Sequence, residues 1–143
     1  MQQIHTQLHI KAAPAQVFDA WLVPRLLGQW MFPGHADAHA VLRMDLDPRE
    51  GGDLYIQTQH GDAAIRYSGS YLEIERPHRL AFTWTPETPD GVFPGRVQLE
   101  VTASGDGSHL ALLESVPAMT AGHAHFTPLH WSNRLGALSS LFS

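Results

Sequence analysis

Hydrophobic and polar positions alternate at the start of the chain. Between Ile4 and Ile10 the even positions are apolar or threonine, and the odd positions are His or Gln. A period of two predicts a half-buried strand. The spacing then becomes helical, because Pro14 suits the first turn of a helix and apolar residues recur from Val17 to Leu22. Pro24 can open a second short helix, which ends before the Pro-Gly break at 33–34.

The period of two returns at about Ala40 and persists along most of the remaining chain. Leu42, Met44 and Leu46, for example, alternate with polar residues, and turns rich in Gly, Pro and Asp separate one such segment from the next. With the first strand, this pattern predicts a sheet of about seven antiparallel strands joined mostly by short loops. The later predicted strands contain residues 42–46, 54–58, 67–74, 79–85, 96–102 and 109–115.

The last segment has helical spacing again. Thr127 is a suitable N-cap and Pro128 a suitable first helical residue. One face of this helix would carry Trp131, Leu135, Leu138 and Phe142. The predicted order is therefore strand, two short helices, six strands and a long terminal helix. Neither a repeat nor a flexible linker interrupts it, so we predict one α+β domain over residues 1–143.

This order of elements predicts a space in the interior. A long meander must bury one face, and the terminal helix is the only long apolar element that can cover it. A helix is about 10 Å wide with its side chains, whereas seven strands about 4.8 Å apart are wider. The twisted sheet must curl around the helix and can leave a gap beside it. Either a ligand occupies that gap, or large residues such as Trp84, Phe82, Trp131 and Tyr71 fill it.

Composition and charge exclude several function classes. The chain has nine basic and fourteen acidic residues, a net charge of −5, and Lys11 as its only lysine. Generic nucleic-acid binding is disfavoured because it requires clustered Lys and Arg. Absence of cysteine removes disulfides, thiol nucleophiles and Cys-ligated metals. Apolar runs never exceed four residues, so we expect no membrane span and a cytoplasmic protein. The oligomeric state stays open, a homodimer included.

Several segments resemble a known superfamily. The chain is similar to the START-like (SRPBCC) superfamily, in the branch named for the activator of a heat-shock protein's ATPase. The similarity covers nearly the whole chain and rests on residues 13–21 (APAQVFDAW), 24–30 (PRLLGQW), 49–55 (REGGDLY), 69–74 (GSYLEI), 77–84 (PHRLAFTW) and 105–107 (GDG). It implies the helix-grip fold, a curved antiparallel sheet around a long C-terminal helix with a hydrophobic cavity between them. That agrees with the architecture predicted from periodicity.

Glu114 is the carboxylate of greatest interest. If Leu110 and Leu112 face the interior, a period of two places Glu114 on the same face. Burial there would raise its pKa unless an Arg or His pairs with it, and the group could bind a polar ligand head or act as a general base. The alternative is that it lies in water at the rim of the sheet.

Aromatic residues supply the remaining site candidates. They could offer apolar surface and hydroxyls to a ligand, or could equally be core. We expect the ligand-binding residues to be Trp30, Tyr67, Tyr71, Phe82, Trp84, Leu112, Glu114, Trp131 and Leu135.

Two histidine runs could in principle bind a divalent metal. His35, Asp37 and His39 form one run, and His123 and His125 the other. Alternate residues of an extended segment share a face, so either run could present imidazoles. Exposed loop histidines are the stronger interpretation, and we predict neither a metal site nor a cofactor. Hydrolase, zincin and phosphate-loop motifs are also absent.

Three functions follow. The leading prediction is a module that binds a small, mainly hydrophobic molecule between sheet and terminal helix. The second is an enzyme, because the resemblance extends to cyclases and aromatases, with Glu114 as base; of the two, a binding protein is favoured. The third, which the name of the branch suggests, is a module that interacts with a chaperone ATPase.

Overall fold

Strands dominate the chain, as the alternation predicts. A computed structural model describes residues 2–30, 39–60, 63–88, 91–116 and 128–142. The elements in this part are β1 (Gln2–Ile10), α1 (Pro14–Leu22), α2 (Pro24–Trp30), β2 (His39–Leu46), β3 (Asp53–His60), β4 (Ala63–Glu75), β5 (Arg79–Thr88), β6 (Gly91–Val92), β7 (Gly95–Ser104), β8 (Gly107–Val116) and α3 (Pro128–Leu141).

The strands form one curved antiparallel sheet. Their order is β1-β8-β7-β5-β4-β3-β2, and the two-residue β6 pairs with β5 outside this path. The sequence predicts only a loop where β6 lies. Buried side chains of α1, α2 and α3 belong to the same apolar cluster as one face of the sheet, which we call the inner face. This is the predicted α+β helix-grip fold.

The terminal helix begins at Pro128, as predicted. Leu135 and Leu138 are buried in the core, and Phe142 packs against it. Trp131 lies in the helix, but its side chain is outside the described residues. None of the described helices is both long and apolar enough to cross a membrane.

A bulge in β2 changes the face on which one predicted core residue lies. The pairing of β2 with β3 slips by one residue between Val41 and Arg43. Leu42 is the extra residue and is 56% exposed, whereas Met44 and Leu46 pack against the core. The predicted alternation is therefore wrong at Leu42, because an inserted residue leaves the ladder and turns outward.

A second bulge lies in β4. Its pairing with β5 shifts between Tyr71 and Glu73, and Leu72 at the shift is exposed. Beyond the bulge the core residue is Ile74, an even-numbered position. Without the inserted residue, the period of two would direct Glu73 into the core with Tyr71.

The two short helices form a hairpin held by two indoles. The Trp30 side chain donates a hydrogen bond from Nε1 to the Ala20 carbonyl oxygen at 2.9 Å. Its ring meets that of Trp21 edge-on, with centroids 4.6 Å apart. Trp21 in turn lies 6.2 Å from the Phe82 ring of β5. The hairpin therefore presents Trp21 to the inner face of the sheet.

Candidate ligand site

The register of the sheet aligns inner-face residues into rows that cross the strands. One row runs from β1 to β4 through Ile4, Glu114, Val97, Phe82 and Tyr71; we call it the Glu114 row. Neighbouring strands are about 4.8 Å apart, so the backbones of Glu114 and Phe82, with β7 between them, are about 10 Å apart. Pairing between strands therefore brings three of the predicted site residues onto one line.

Glu114 lies on the inner face, as predicted from its spacing to Leu110 and Leu112. Its side chain is 5% exposed, so the alternative position in water at the rim is wrong. Val97 beside it and Leu112 on its own strand are apolar and buried. Removing a carboxylate from water costs several kcal/mol. A buried carboxylate on an apolar face is therefore a reasonable marker of a functional site.

Aromatic rings form a continuous wall that includes Phe82 and Tyr71 of this row. Tyr67 stacks on Trp84 with centroids 4.8 Å apart, and Phe82 meets the Trp84 ring edge-on at 6.1 Å. Phe82 also lies 6.3 Å from Tyr71 and 6.2 Å from Trp21. These five residues, all buried, are the aromatic wall. Such ring pairs contribute about 0.5–1.5 kcal/mol each beyond the area that they bury.

A small cavity lies between the inner face of the sheet and the helical hairpin. The space that the centre of a water molecule can reach is about 10 Å³, room for about one water. Small-molecule sites usually measure about 300–1,000 Å³. Large side chains thus fill most of this part of the interior, and a larger guest would have to displace them. The lining residues are Trp21, Leu27, Leu46, Leu54, Ile56, Tyr71, Phe82 and Trp84.

Tyr71 is held at the end of the row by the glycine turn between β2 and β3. Its amide donates to the Gly52 carbonyl oxygen, and its own carbonyl oxygen accepts from the Gly51 amide, both at 2.9 Å. Burial, and secondarily the Asp47 carboxylate, raises the pKa of Tyr71 from 10.0 to about 12. The phenol therefore keeps its proton at neutral pH and is a hydrogen-bond donor there, not a base.

The strands that carry the wall approach each other closely at Gly69. A Cβ atom at this position would lie 1.9 Å from the Thr83 carbonyl oxygen. The Thr83 hydroxyl accepts a hydrogen bond from the Ser70 amide at 2.8 Å. Only glycine permits this approach of β4 to β5, which sets the positions of Tyr67 and Tyr71 on either side of it.

The remaining predicted site residues have different surroundings. Trp30 is buried behind Trp21 and does not line the cavity. Leu112 pairs with Leu99 on β7 and is buried, and Leu135 of α3 belongs to the same core cluster. The side chain of Trp131, as noted, lies outside the described residues.

Most of the histidine runs lie outside the described part of the chain. Residues 35, 37, 123 and 125 are not included in it, and His39 is described only as the first residue of β2. Within the described ranges, no three His, Asp or Glu side chains are grouped as a metal ion would require.

Sequence reasoning missed five lining residues. Their spacing identifies Trp21, Leu27, Leu46, Leu54 and Ile56 as core positions of helices or strands. That signal cannot separate cavity lining from ordinary core, because the lining depends on which elements meet in space.

A family model matches residues 11–142 of the chain, and its description is "Activator of Hsp90 ATPase homolog 1-like protein". A search of curated proteins found no match.

Solved structures with a similar fold are known from several bacteria. A Chromobacterium violaceum protein is 19% identical, with a TM-score of 0.80 and coverage of 99% of this chain and 98% of its own. A putative uncharacterized protein from Rhizobium leguminosarum is 19% identical, with a TM-score of 0.83 and coverage of 99% and 93%. CalU16 from Micromonospora echinospora is 24% identical, with a TM-score of 0.67 and coverage of 99% and 76%. At such identities the likeness establishes the fold alone.

Proposed function

Because the chain belongs to the family of activator of Hsp90 ATPase homolog 1-like proteins, in the START-like class, we propose that it binds a small, mainly hydrophobic molecule between sheet and terminal helix. The aromatic wall is the observation that carries the proposal. Rings of this kind offer flat apolar surface, and the Glu114 row adds a polar group beside it.

A guest that enters the cavity beside the wall must displace side chains, because this cavity holds about one water. Burial of apolar ligand surface contributes about 25 cal/mol per Å², which offsets the loss of ring contacts. Binding is therefore coupled to a rearrangement of the wall, and tryptophan emission from Trp21 and Trp84 should report it.

A thermal-shift screen with fatty acids, flavonoids and polyketide-like aromatic compounds tests the proposal. A ligand at about 100 times its Kd stabilises the protein by about 2.7 kcal/mol. We expect a higher Tm together with a change in tryptophan emission. Failure of every compound class in both measurements would contradict the proposal.

The outer face of the sheet has an open groove of about 410 Å³, and Gln98 is one of its lining residues. Two variants distinguish ligand binding in the inner cavity from binding in this groove. Ile56→Phe places a larger side chain in the inner cavity, at a cost of about 1–3 kcal/mol, and should abolish the ligand-induced shift. Gln98→Ala should preserve it. The opposite result would place the ligand in the outer groove.

The buried carboxylate also supports a second candidate, an enzyme of cyclase or aromatase type. Glu114 would then act as a general base toward a substrate held against the aromatic wall. Turnover of a candidate substrate should be lost in Glu114→Gln. If Glu114→Gln still turns the substrate over, Glu114 is not the general base.

Three further predictions are separate from the ligand site. Interaction with a chaperone, suggested by the family name, is tested by pull-down with purified Hsp90, and failure to bind would contradict it. A cytoplasmic location is tested by cell fractionation, and a homodimer by light scattering.

A further inference from the structure

We propose that two copies of this chain associate through the free edge of β1, in an antiparallel pair centred on Thr6 that joins their sheets into one. This inference rests on the homodimer predicted above and assigns a surface to it. It does not depend on ligand binding at the inner face.

The sheet has two edge strands, which differ in how they are protected. In the part of the chain that the structure describes, β1 pairs only with β8, and β2 only with β3. A free edge offers unpaired amide and carbonyl groups to another strand, so proteins usually interrupt it with bulges, charges or proline. β2 has a bulge at Leu42 and carries Arg43 and Asp45. Its edge is therefore poorly suited to pairing.

The β1 strand itself carries none of these interruptions. Its nine residues pair with β8 in one continuous register. Its sequence, QQIHTQLHI, contains no Asp, Glu, Lys, Arg or Pro, although each copy of the chain has a net charge of −5. Two copies can therefore align here without the like charges that oppose pairing when they lie opposite each other.

Apolar side chains of β1 are covered only in part. Ile4 and Leu8 lie on the inner face and are half-buried, whereas their partners on β8, Glu114 and Leu110, are buried. The difference arises because β1 has a neighbouring described strand on one side only. A second copy of β1 would supply a strand on the other side and cover this apolar surface.

The alternation along β1 makes it self-complementary in an antiparallel pair. With Thr6 opposite Thr6 of the second copy, all nine residues of each strand are paired. Ile4 then faces Leu8 on the inner side, and His5 faces Gln7 on the outer side. Within residues 4–8 apolar side chains meet apolar ones and polar side chains meet polar ones. A two-fold axis through Thr6 relates the copies, so the pair closes as a dimer.

A single cysteine at the centre of the pair tests the interface, because the chain has no cysteine of its own. Directly opposed Cα atoms of an antiparallel pair are about 4.5–5.5 Å apart, within the range of a disulfide. Thr6→Cys should therefore give a covalent dimer on mild oxidation. Leu42→Cys is the matched control, because Leu42 is exposed on the other edge strand, and it should stay mostly monomeric.

Two further cysteine variants test the register. In the proposed pair, residue 4 of one copy lies opposite residue 8 of the other and about 13 Å along the strand from its own counterpart. Ile4→Cys and Leu8→Cys should each fail to cross-link alone and should cross-link when they are mixed. Cross-linking of either variant alone, without the mixed product, would contradict a pair centred on Thr6.

Charges placed at Thr6 test the pairing without oxidation. Thr6→Lys places two like charges opposite each other, and so does Thr6→Glu, so each should raise the dimer Kd at least roughly tenfold. An equal mixture of the two variants places opposite charges together and should recover a heterodimer. Sedimentation equilibrium at about pH 8, where histidine is ordinarily neutral, gives the Kd values. Circular dichroism checks that each variant is folded.

The outcomes separate the β1 interface from the other predictions. A wild-type chain that stays monomeric in sedimentation equilibrium overturns both the homodimer and its interface. A dimer whose Kd is unchanged by Thr6→Lys and Thr6→Glu, and which Thr6→Cys does not cross-link, overturns the β1 interface while the homodimer stands. Ligand binding is measured separately by the thermal shift, and its failure leaves the β1 interface standing.

Discussion

Removal of the Phe82 ring tests how the interior is packed. Phe82 is 4% exposed and contacts the rings of Trp21, Tyr71 and Trp84 at centroid distances of 6.1–6.3 Å. Phe→Ala substitutions in cores cost about 3–5 kcal/mol. A domain somewhat larger than this one loses about 2–4 °C in Tm per kcal/mol. Phe82→Ala should therefore lower the Tm by about 6–20 °C.

The hole left by the substitution should also bind a small aromatic molecule. Engineered apolar cavities of about 150 Å³ stay dry and accept benzene. Indole at about 100 times its Kd would restore about 2.7 kcal/mol of the lost stability. The wild-type protein should respond less, because its cavity holds about one water.

Urea denaturation and thermal unfolding, each with and without indole, measure these effects. Leu42→Ala is the control. The Leu42 side chain is exposed in the β2 bulge, so its removal should change the free energy of unfolding by no more than about 0.5 kcal/mol. If Phe82→Ala lowers the free energy of unfolding by less than about 1 kcal/mol, against the 3–5 kcal/mol expected, the packing argument is refuted. An equal response of variant and wild type to indole would refute it as well.

Three further predictions concern the fold. Leu138→Ala in α3 should cost about 2–5 kcal/mol in urea denaturation; a near-neutral effect would contradict helix burial. Gly69→Ala should destabilise the protein, because the new Cβ would lie 1.9 Å from a backbone oxygen. Gly136→Ala lies in a helix with open space around it and should stabilise by about 0.5–1 kcal/mol. Equal changes in Tm for the two variants in differential scanning calorimetry would contradict this prediction. Folding raises the pKa of Tyr71 from 10.0 to about 12, so its contribution to the free energy of unfolding is complete below pH 10 and is lost as pH rises toward 12. The wild-type protein should therefore lose more stability over that range than Tyr71→Phe. Parallel profiles of stability against pH would contradict the pKa shift.

Local patterns were sufficient for the architecture. Alternation over Leu54, Ile56 and Thr58 correctly predicted a strand with one buried face, and Pro14 and Pro128 marked the first residues of two helices. These features depend on neighbours within a few residues, which the sequence displays directly. Glu114 was found on the inner face for the same reason, since a period of two relates it to Leu112.

Local patterns failed where pairing between strands intervened. In β2 the inserted residue, Leu42, is exposed, and in β4 the insertion at Leu72 makes Ile74, not Glu73, the core residue beyond Tyr71. No feature of either strand alone announces such a bulge, because it exists only relative to a partner.

The arrangement of the site depends on contacts between residues distant in the chain. The line from Glu114 to Tyr71 exists because β8, β7, β5 and β4 pair in one register. Likewise, Trp21 lines the cavity and Trp30 does not, because the helical hairpin turns the first indole toward β5. Sequence periodicity specifies which side of an element is apolar, but only the packing of elements against one another specifies which apolar side chains meet and how much space remains between them.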